Sequence, residues 1–303
     1  MRTTKVVRHG ASRLRPRATR MAMDVPLAAR VAGSASLGAG LAIYGLAKKS
    51  LDASGAAAAA VVGAATFASS TRLGVTLIAF FLVSSKLTKF KQERKSQIEK
   101  EFKPGGQRDW KQVLANGGIP TLLAVFVGFQ TQAVDQVMRA SASISTASMG
   151  AFLGYYACCC GDTWSSELGV LSRAPPKLIT TWKTVPPGTN GGVSALGLVA
   201  AALGGLFVGM AFALGGYLAC GDVQLQAVVV GGAVGFLGSL LDSLLGATVQ
   251  YTGYDAEANK VTHKPGEDVV RISGQPWLDN DAVNAVSATC CAAMAAWTSL
   301  HLF

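Results

Sequence analysis

Gly161-Asp-Thr-Trp-Ser-Ser-Glu-Leu-Gly169, followed by Val185-Pro-Pro-Gly-Thr-Asn-Gly-Gly-Val193, lies between two strongly apolar runs, 143–160 and 193–219. The insert 161–192 brings carboxylates, hydroxyls, lysines and a glycine-rich turn to the edge of segments that suit a bilayer. A charged side chain at membrane depth is costly, so Asp162 is an odd residue to keep for packing alone.

Composition points the same way. Half of the 303 residues are hydrophobic, 15% are charged and the mean hydropathy is +0.36. Soluble domains carry roughly 25% charged residues. The 35 glycines have no collagen period and cluster inside the apolar runs. Small residues of that kind let membrane helices approach closely.

Further apolar runs occupy about 26–47, 52–85, 115–134, 225–249 and 282–302. The second is too long for one span of roughly 20 residues and is interrupted at Ser69-Ser-Thr-Arg72. It reads as two short helices joined by a tight turn. The apolar segments do not alternate, which argues against strands. The expectation is an all-α, polytopic membrane bundle of about eight helices, with one membrane domain over 26–303.

Helix parity puts the polar loops 86–112, 161–192 and 250–281 on one membrane face, and the short connections 70–72, 135–142 and 220–224 on the other. Loop 86–112 carries nine Lys/Arg against four Asp/Glu, which assigns the shared face to the cytoplasmic or equivalent side. The tail 1–25 conflicts with that assignment. Residues 1–23 hold six arginines, one lysine and no acid. A cleavable organelle-targeting segment resolves the conflict, and so does a different helix count.

The net charge of +10 derives largely from this tail and loop 86–112. No nucleic-acid recognition fold accompanies it, so nucleic acid is not an expected partner. Six cysteines and three scattered histidines make neither a disulfide framework nor zinc spacing. The cysteines read as small apolar residues in helices.

Four constellations carry chemistry. Asp162, Ser165, Ser166 and Gly169 fall at i, i+3, i+4 and i+7, one face of a helix if the helix continues through them. Such a face holds a divalent cation or accepts hydrogen bonds; the alternative is that Asp162 caps a helix. Glu167 lies about 140° around from Asp162 at 100° per residue. In the second, Gly188, Thr189, Asn190, Gly191 and Gly192 suit an anion approached by backbone amides. Lys183 adds a mobile cation and a helix start near Val193 adds its dipole. A Pro-Gly-Asn turn satisfies the same residues, and the Walker ending is absent. The third is Asp242, on a stripe of Gly231, Gly235, Ser239, Ser243 and Gly246 facing the bundle interior, where an acid is a functional candidate. Asn280 and Asn284 beside Asp279 and Asp281 form the fourth. They orient a ribose, a phosphate or a metal-bound water, or they belong to a helix cap.

These motifs, with Ser84-Ser-Lys-Leu-Thr-Lys89, Gly105-Gly-Gln-Arg108, Asp242-Ser-Leu-Leu-Gly-Ala-Thr248, Gln250-Tyr-Thr-Gly253 and Leu278-Asp-Asn280, resemble the transmembrane protein 19 family over about residues 30–300. That family includes the plant and cyanobacterial phytyl-phosphate kinases. Gly161, Asp162, Ser166 and Gly169 are similar, more distantly, to the Gly-Asp…Ser…Gly element of membrane prenol kinases. The matching loop departs, because Pro187–Gly191 lacks the Glu that precedes the glycine there.

The resemblance implies phosphoryl transfer from a nucleoside triphosphate, CTP by resemblance, to a prenyl monophosphate such as phytyl phosphate in the bilayer. Mg²⁺ would be held by Asp162 and Asp242. Lys183 and the 188–192 amides would hold donor phosphates, with Ser166, Asn280 and Asn284 in support and Lys86 and Arg108 as weaker phosphate candidates. The acceptor chain would lie between glycine-rich helices, in an organelle membrane such as the chloroplast envelope. A proton- or ion-coupled transporter is the competing class, since acids and broken helices serve carriers too.

Overall fold

A computed structural model describes residues 27–102, 106–139 and 144–303. The basic tail and its targeting reading therefore lie outside the described residues. The apolar runs become α1 (Leu27–Ala47), α2 (Ala53–Ser69), α3 (Thr71–Lys89), α5 (Trp110–Gln130), α6 (Ile144–Gly169), α7 (Ala195–Cys220), α8 (Gln226–Val249) and α9 (Asn280–Leu302). A short helix, α4 (Gln92–Ile98), sits within the charged loop, making nine helices among the described residues. By length and composition, α3, α5, α7, α8 and α9 are each long and apolar enough to cross a membrane.

The break in 52–85 falls on one residue. Ser70 is extended; its backbone N–H donates to Thr66 O (3.0 Å), while its Oγ accepts from Leu73 N (3.2 Å). One serine thus caps the end of α2 and the start of α3, satisfying orphan groups of both helices.

Helix α6 is the axis of the bundle, packed by α3, α5, α7, α8 and α9. Nearly every residue from Ser145 to Gly161 is buried. Its small residues permit this, and Gly161 shows why they matter near the site. A Cβ there would stand 2.6 Å from Gly235 O of α8 and 3.0 Å from Ala201 O of α7. The stripe expected on α8 faces inward, with Gly231, Gly235, Ser239 and Gly246 buried.

The two ends of the bundle differ in kind. At one, the short connections converge. Arg72, 1% exposed, donates to Gln224 Oε1 (3.1 Å) and Cys220 Sγ (3.3 Å) and lies over the Phe212 ring. Gln224 in turn holds the Met138 backbone, and Ser70 bonds Asp135.

At the other end the three polar loops form one layer. It contains strands that the sequence reading did not anticipate. β1 (Lys177–Leu178) pairs antiparallel with β2 (Gly192–Val193). β3 (Thr252–Asp255), β4 (Lys260–Thr262) and β5 (Val269–Ser273) form an antiparallel sheet ordered β4-β3-β5. Helix α4 docks on this sheet through Lys100 N to Val261 O (2.9 Å) and Lys260 Nζ to Ser96 O (2.8 Å). Lys100 also pairs with Asp255, whose carboxyl is held below the usual range by the Ala258 amide and then by Lys100.

Candidate functional site

Helix α6 runs unbroken through Asp162, Ser165 and Ser166 to Gly169, so Asp162 caps nothing. It stands two turns before the helix end and meets Asp242 of α8 side chain to side chain. Two carboxyls in contact cannot both carry uncompensated charge, so a proton or a cation must be shared between them. Asp242 Oδ2 accepts from Ser287 Oγ of α9 (2.9 Å). With its amide turned to suit its neighbours, Asn284 donates to the same oxygen (3.2 Å) and accepts from Asn280 Nδ2 (3.2 Å). Asn280 also accepts from Gln250 Nε2 at 3.5 Å, while Asp279 caps α9 through Ala282 N.

This constellation lies in a cleft of about 1050 Å³ between the helix ends and the loop layer. Asp162, Ser166, Gly188, Thr189, Asn190, Gly191, Gly192, Asp242, Asn280 and Asn284 all line it. All but one of the main site residues expected from the sequence are therefore brought together, while Lys86, a weaker phosphate candidate, is exposed and does not line the cleft.

The exception is Lys183. It is exposed and does not line the cleft. Its own backbone explains this: Leu178 N donates to Lys183 O (2.9 Å), folding 178–183 into a tight loop. Trp182, at its tip, adopts a left-handed conformation (φ 57°). The cations that do line the cleft are Lys95, Arg108 and Lys264. Lys95 of α4 forms an ion pair with Glu167 of α6 (3.1 Å). Glu167, the acid off the Asp162 face, is 6% exposed and lines the cleft.

The amide cradle at 188–192 also needs correction. Thr189 N donates to Pro186 O, Asn190 N to Thr252 Oγ1 and Gly192 N to Thr189 O. Those three amides are engaged within the protein. Asn190 further pins the loop through Nδ2 to Tyr251 O (3.3 Å) and a contact with His263 Nδ1 (3.1 Å). Helix α7 begins at Ala195, and Ser194 caps it by accepting from Gly197 N (3.1 Å). The loop is thus a rigid wall of the cleft first, and a ligand-facing surface second.

Gly191 holds that wall in position. Its φ is 80°, and a Cβ would come within 2.4 Å of Ala247 Cβ and 2.6 Å of Ser243 O on α8. Gly191→Ala is expected to destabilise the protein by about 1–3 kcal/mol from backbone strain alone. Limited proteolysis across 185–192 should accelerate in the variant; wild-type cleavage rates would show that the loop does not depend on this residue.

Beside the cleft lies a second, apolar cavity of about 60 Å³ between α1, α2, α3, α5 and α6. Phe80, Arg108 and Asn116 line both. Arg108 donates to Ser85 Oγ (3.0 Å) and Thr88 Oγ1 (3.4 Å). Among the described residues no carboxylate stands within ion-pair distance of it. Burial pulls its guanidinium below the ordinary value, against the influence of Glu167, and an arginine so perturbed stays a cation.

The donor set at the dyad suits Mg²⁺. It offers hard oxygens from two carboxylates, with a hydroxyl and a carboxamide beside them. Among the described residues no cluster of three or more His, Cys, Asp or Glu exists. That fits an ion held by one or two carboxylates and completed by water and phosphate, and does not fit a closed protein cage.

The profile of the family described as Integral membrane protein DUF92 matches residues 36–292. Protein PGR of Arabidopsis thaliana is 46% identical over 263 residues, covering 84% of this chain and 91% of that protein. An uncharacterized membrane protein of Methanocaldococcus jannaschii is 34% identical over 181 residues, 59% of this chain and 66% of that one. Protein VTE6, chloroplastic, of Arabidopsis thaliana is 28% identical over 243 residues, 78% of this chain and 62% of its own length. No solved structure matches.

Proposed function

We propose, for a chain that belongs to the integral membrane family DUF92, that it transfers the terminal phosphoryl group of a nucleoside triphosphate to a prenyl monophosphate held in the bilayer. The observation that carries this reading is the Asp162–Asp242 contact within a large polar cleft that shares Phe80, Arg108 and Asn116 with an apolar cavity. One substrate is polyanionic, the other is a lipid with an anionic head, and the two compartments suit them in turn. The resemblance to phytyl-phosphate kinases supplies the reaction class, with phytyl phosphate as acceptor and CTP as donor.

In the reaction an acceptor phosphate oxygen attacks the γ-phosphorus. The bond from that phosphorus to the bridging β-oxygen breaks, and nucleoside diphosphate leaves. Prenyl diphosphate is the product. Such transfer needs positioning and charge neutralisation more than covalent chemistry. Asp162 and Asp242 would hold Mg²⁺, which would supply charge neutralisation for the phosphoryl transfer. Ser287 and Asn284 fix the Asp242 carboxylate for that role. Ser166, Asn280, Lys264 and the 188–192 wall line the donor side, and α4 with its Lys95–Glu167 pair closes the cleft toward water.

With Protein VTE6, chloroplastic, among the relatives, the reading extends to an organelle membrane, the basic tail serving as address. The test is purified protein in lipid nanodiscs with a panel of prenyl monophosphates, Mg²⁺ and each nucleoside triphosphate. Nucleotide consumption that depends on both the prenyl monophosphate and Mg²⁺ is expected. Consumption with no acceptor, or none at all alongside ion flux in proteoliposomes, would favour a carrier.

A further inference from the structure

Helix α6 carries two adjacent tyrosines with different fates. Tyr155 donates its hydroxyl to Ala115 O of α5. Tyr156 is 0% exposed and its hydroxyl has no hydrogen-bond partner among the described residues. Its ring is gripped by Phe80 (centroids 5.0 Å apart) and Phe152 (4.9 Å), which fixes where the hydroxyl points. That hydroxyl stands opposite Gly117 of α5, 3.6 Å from where a Cβ would be, at the wall of the apolar cavity. A buried hydroxyl without a partner costs roughly 1–3 kcal/mol, so it marks a place where a ligand oxygen is wanted.

The rest of the cavity says what kind of ligand. Leu41, Leu51, Val62, Leu77 and Val113 make it apolar, and at about 60 Å³ it holds several times the ~10–15 Å³ that one water requires. At its mouth stand Arg108 and Asn116, shared with the polar cleft. Arg108 is a partly buried cation with hydroxyls but no carboxylate as partners among the described residues. An anionic head at Arg108, followed at once by hydrocarbon, matches this order of groups. The cavity lies between α1, α2, α3, α5 and α6, and no residue of the glycine-rich α7 or α8 lines it.

We propose that this cavity is the acceptor subsite: Arg108 and Asn116 hold the head of a single-chain lipid monophosphate, Tyr156 donates to an oxygen at its ester end, and the first branched segment of the chain fills the apolar space. The assignment rests on the phosphoryl-transfer reading for its choice of lipid. Binding, however, needs no turnover. Val62→Phe fills the cavity. Tyr156→Phe removes only the orphan hydroxyl, so it leaves the fold as stable as wild type or more so, whereas a structural hydroxyl would leave it weaker.

The experiment uses the full chain in nanodiscs without nucleotide, and a tritiated prenyl monophosphate bearing a photoreactive group in the unit nearest the phosphate. Crosslinks should map to α2 and α5. Unlabelled prenyl monophosphate should compete, while the corresponding prenol, inorganic phosphate and phosphatidic acid should compete poorly. Affinity should fall about tenfold in Tyr156→Phe, with an unchanged or higher melting temperature, and further in Val62→Phe. Crosslinks on α7 and α8, equal competition by phosphatidic acid, or unaltered affinity in Tyr156→Phe would overturn the subsite. Binding at α2 and α5 with no transfer from any nucleotide would instead overturn the kinase reading and leave the subsite standing. Transfer undiminished in both variants would do the reverse.

Discussion

Asp162→Asn and Asp242→Asn, made separately, are each expected to lower phosphoryl transfer by roughly 10²–10³-fold or more, the scale seen when an electrostatic contributor to the transition state is removed. Both carboxyls face one another across α6 and α8, and Ser287 and Asn284 converge on Asp242. Asparagine keeps the shape of aspartate and part of its hydrogen bonding, so the change is one of charge. Without a cation the two carboxyls have to share a proton to avoid like-charge repulsion, and asparagine at either position removes that requirement. The variants should therefore lose activity while melting no lower, and in Mg²⁺-free buffer somewhat higher, than wild type. The discriminating measurement is the melting temperature of nanodisc-embedded protein against Mg²⁺ concentration. Wild type should gain stability with Mg²⁺ as a binding isotherm, and neither variant should. A packing role predicts lower melting temperatures with activity retained. Equal Mg²⁺ responses in all three proteins would remove the metal assignment.

Lys95→Ala should carry the second large effect. Its ammonium is held above the ordinary value of 10.5: burial alone would lower it, and Glu167 and then Glu99 outweigh that. Removing it strands Glu167, 6% exposed, without its partner. Breaking a buried pair from one side costs about 3–5 kcal/mol. The added change Glu167→Gln should recover much of that, because it removes the stranded charge. Guided by the sign of the Lys95 shift, the pair's contribution is complete while Glu167 is ionised and the pH is below 10.5, and is lost at high pH as the pH climbs through the raised Lys95 value. The wild-type advantage over Lys95→Ala should thus stay level between pH 7 and 9. Denaturant titrations of the two single variants and the double variant provide the cycle. A single variant no less stable than wild type would mean that α4 is not anchored through this pair. Activity should fall as well, since α4 forms one wall of the cleft.

The two effects differ in how far the sequence foretold them. The i, i+3, i+4, i+7 spacing of Asp162, Ser165, Ser166 and Gly169 was readable as one helical face, and α6 does continue through it. Asp242 was readable as an inward acid because the small residues around it fix the face. Glu167 was not, since a helical wheel puts it off the Asp162 face and its partner Lys95 lies 72 residues away in sequence. Only the docking of α4 on the β-sheet joins them. That sheet was hidden for a related reason. Its strands are short stretches in a polar loop, such as Val269-Val-Arg-Ile-Ser273, with no hydrophobic alternation to announce them; a turn through Asn259 (φ 53°) joins β3 to β4, and β5 pairs along the other edge of β3. Lys183 stands outside the cleft because side-chain type says nothing about where a tight loop places a residue. The apolar cavity was invisible for a simpler reason: it is bounded by residues from five helices and two loops.

Transfer of label from γ-³²P nucleoside triphosphate tests the central claim most directly. Purified protein, a prenyl monophosphate and Mg²⁺ are incubated with the labelled nucleotide, and the lipid phase is analysed for the position of the label. The account predicts label in the terminal phosphate of a prenyl diphosphate, formed by wild type and absent with Asp242→Asn. Label appearing only as inorganic phosphate, or equal product from Asp242→Asn, would contradict it.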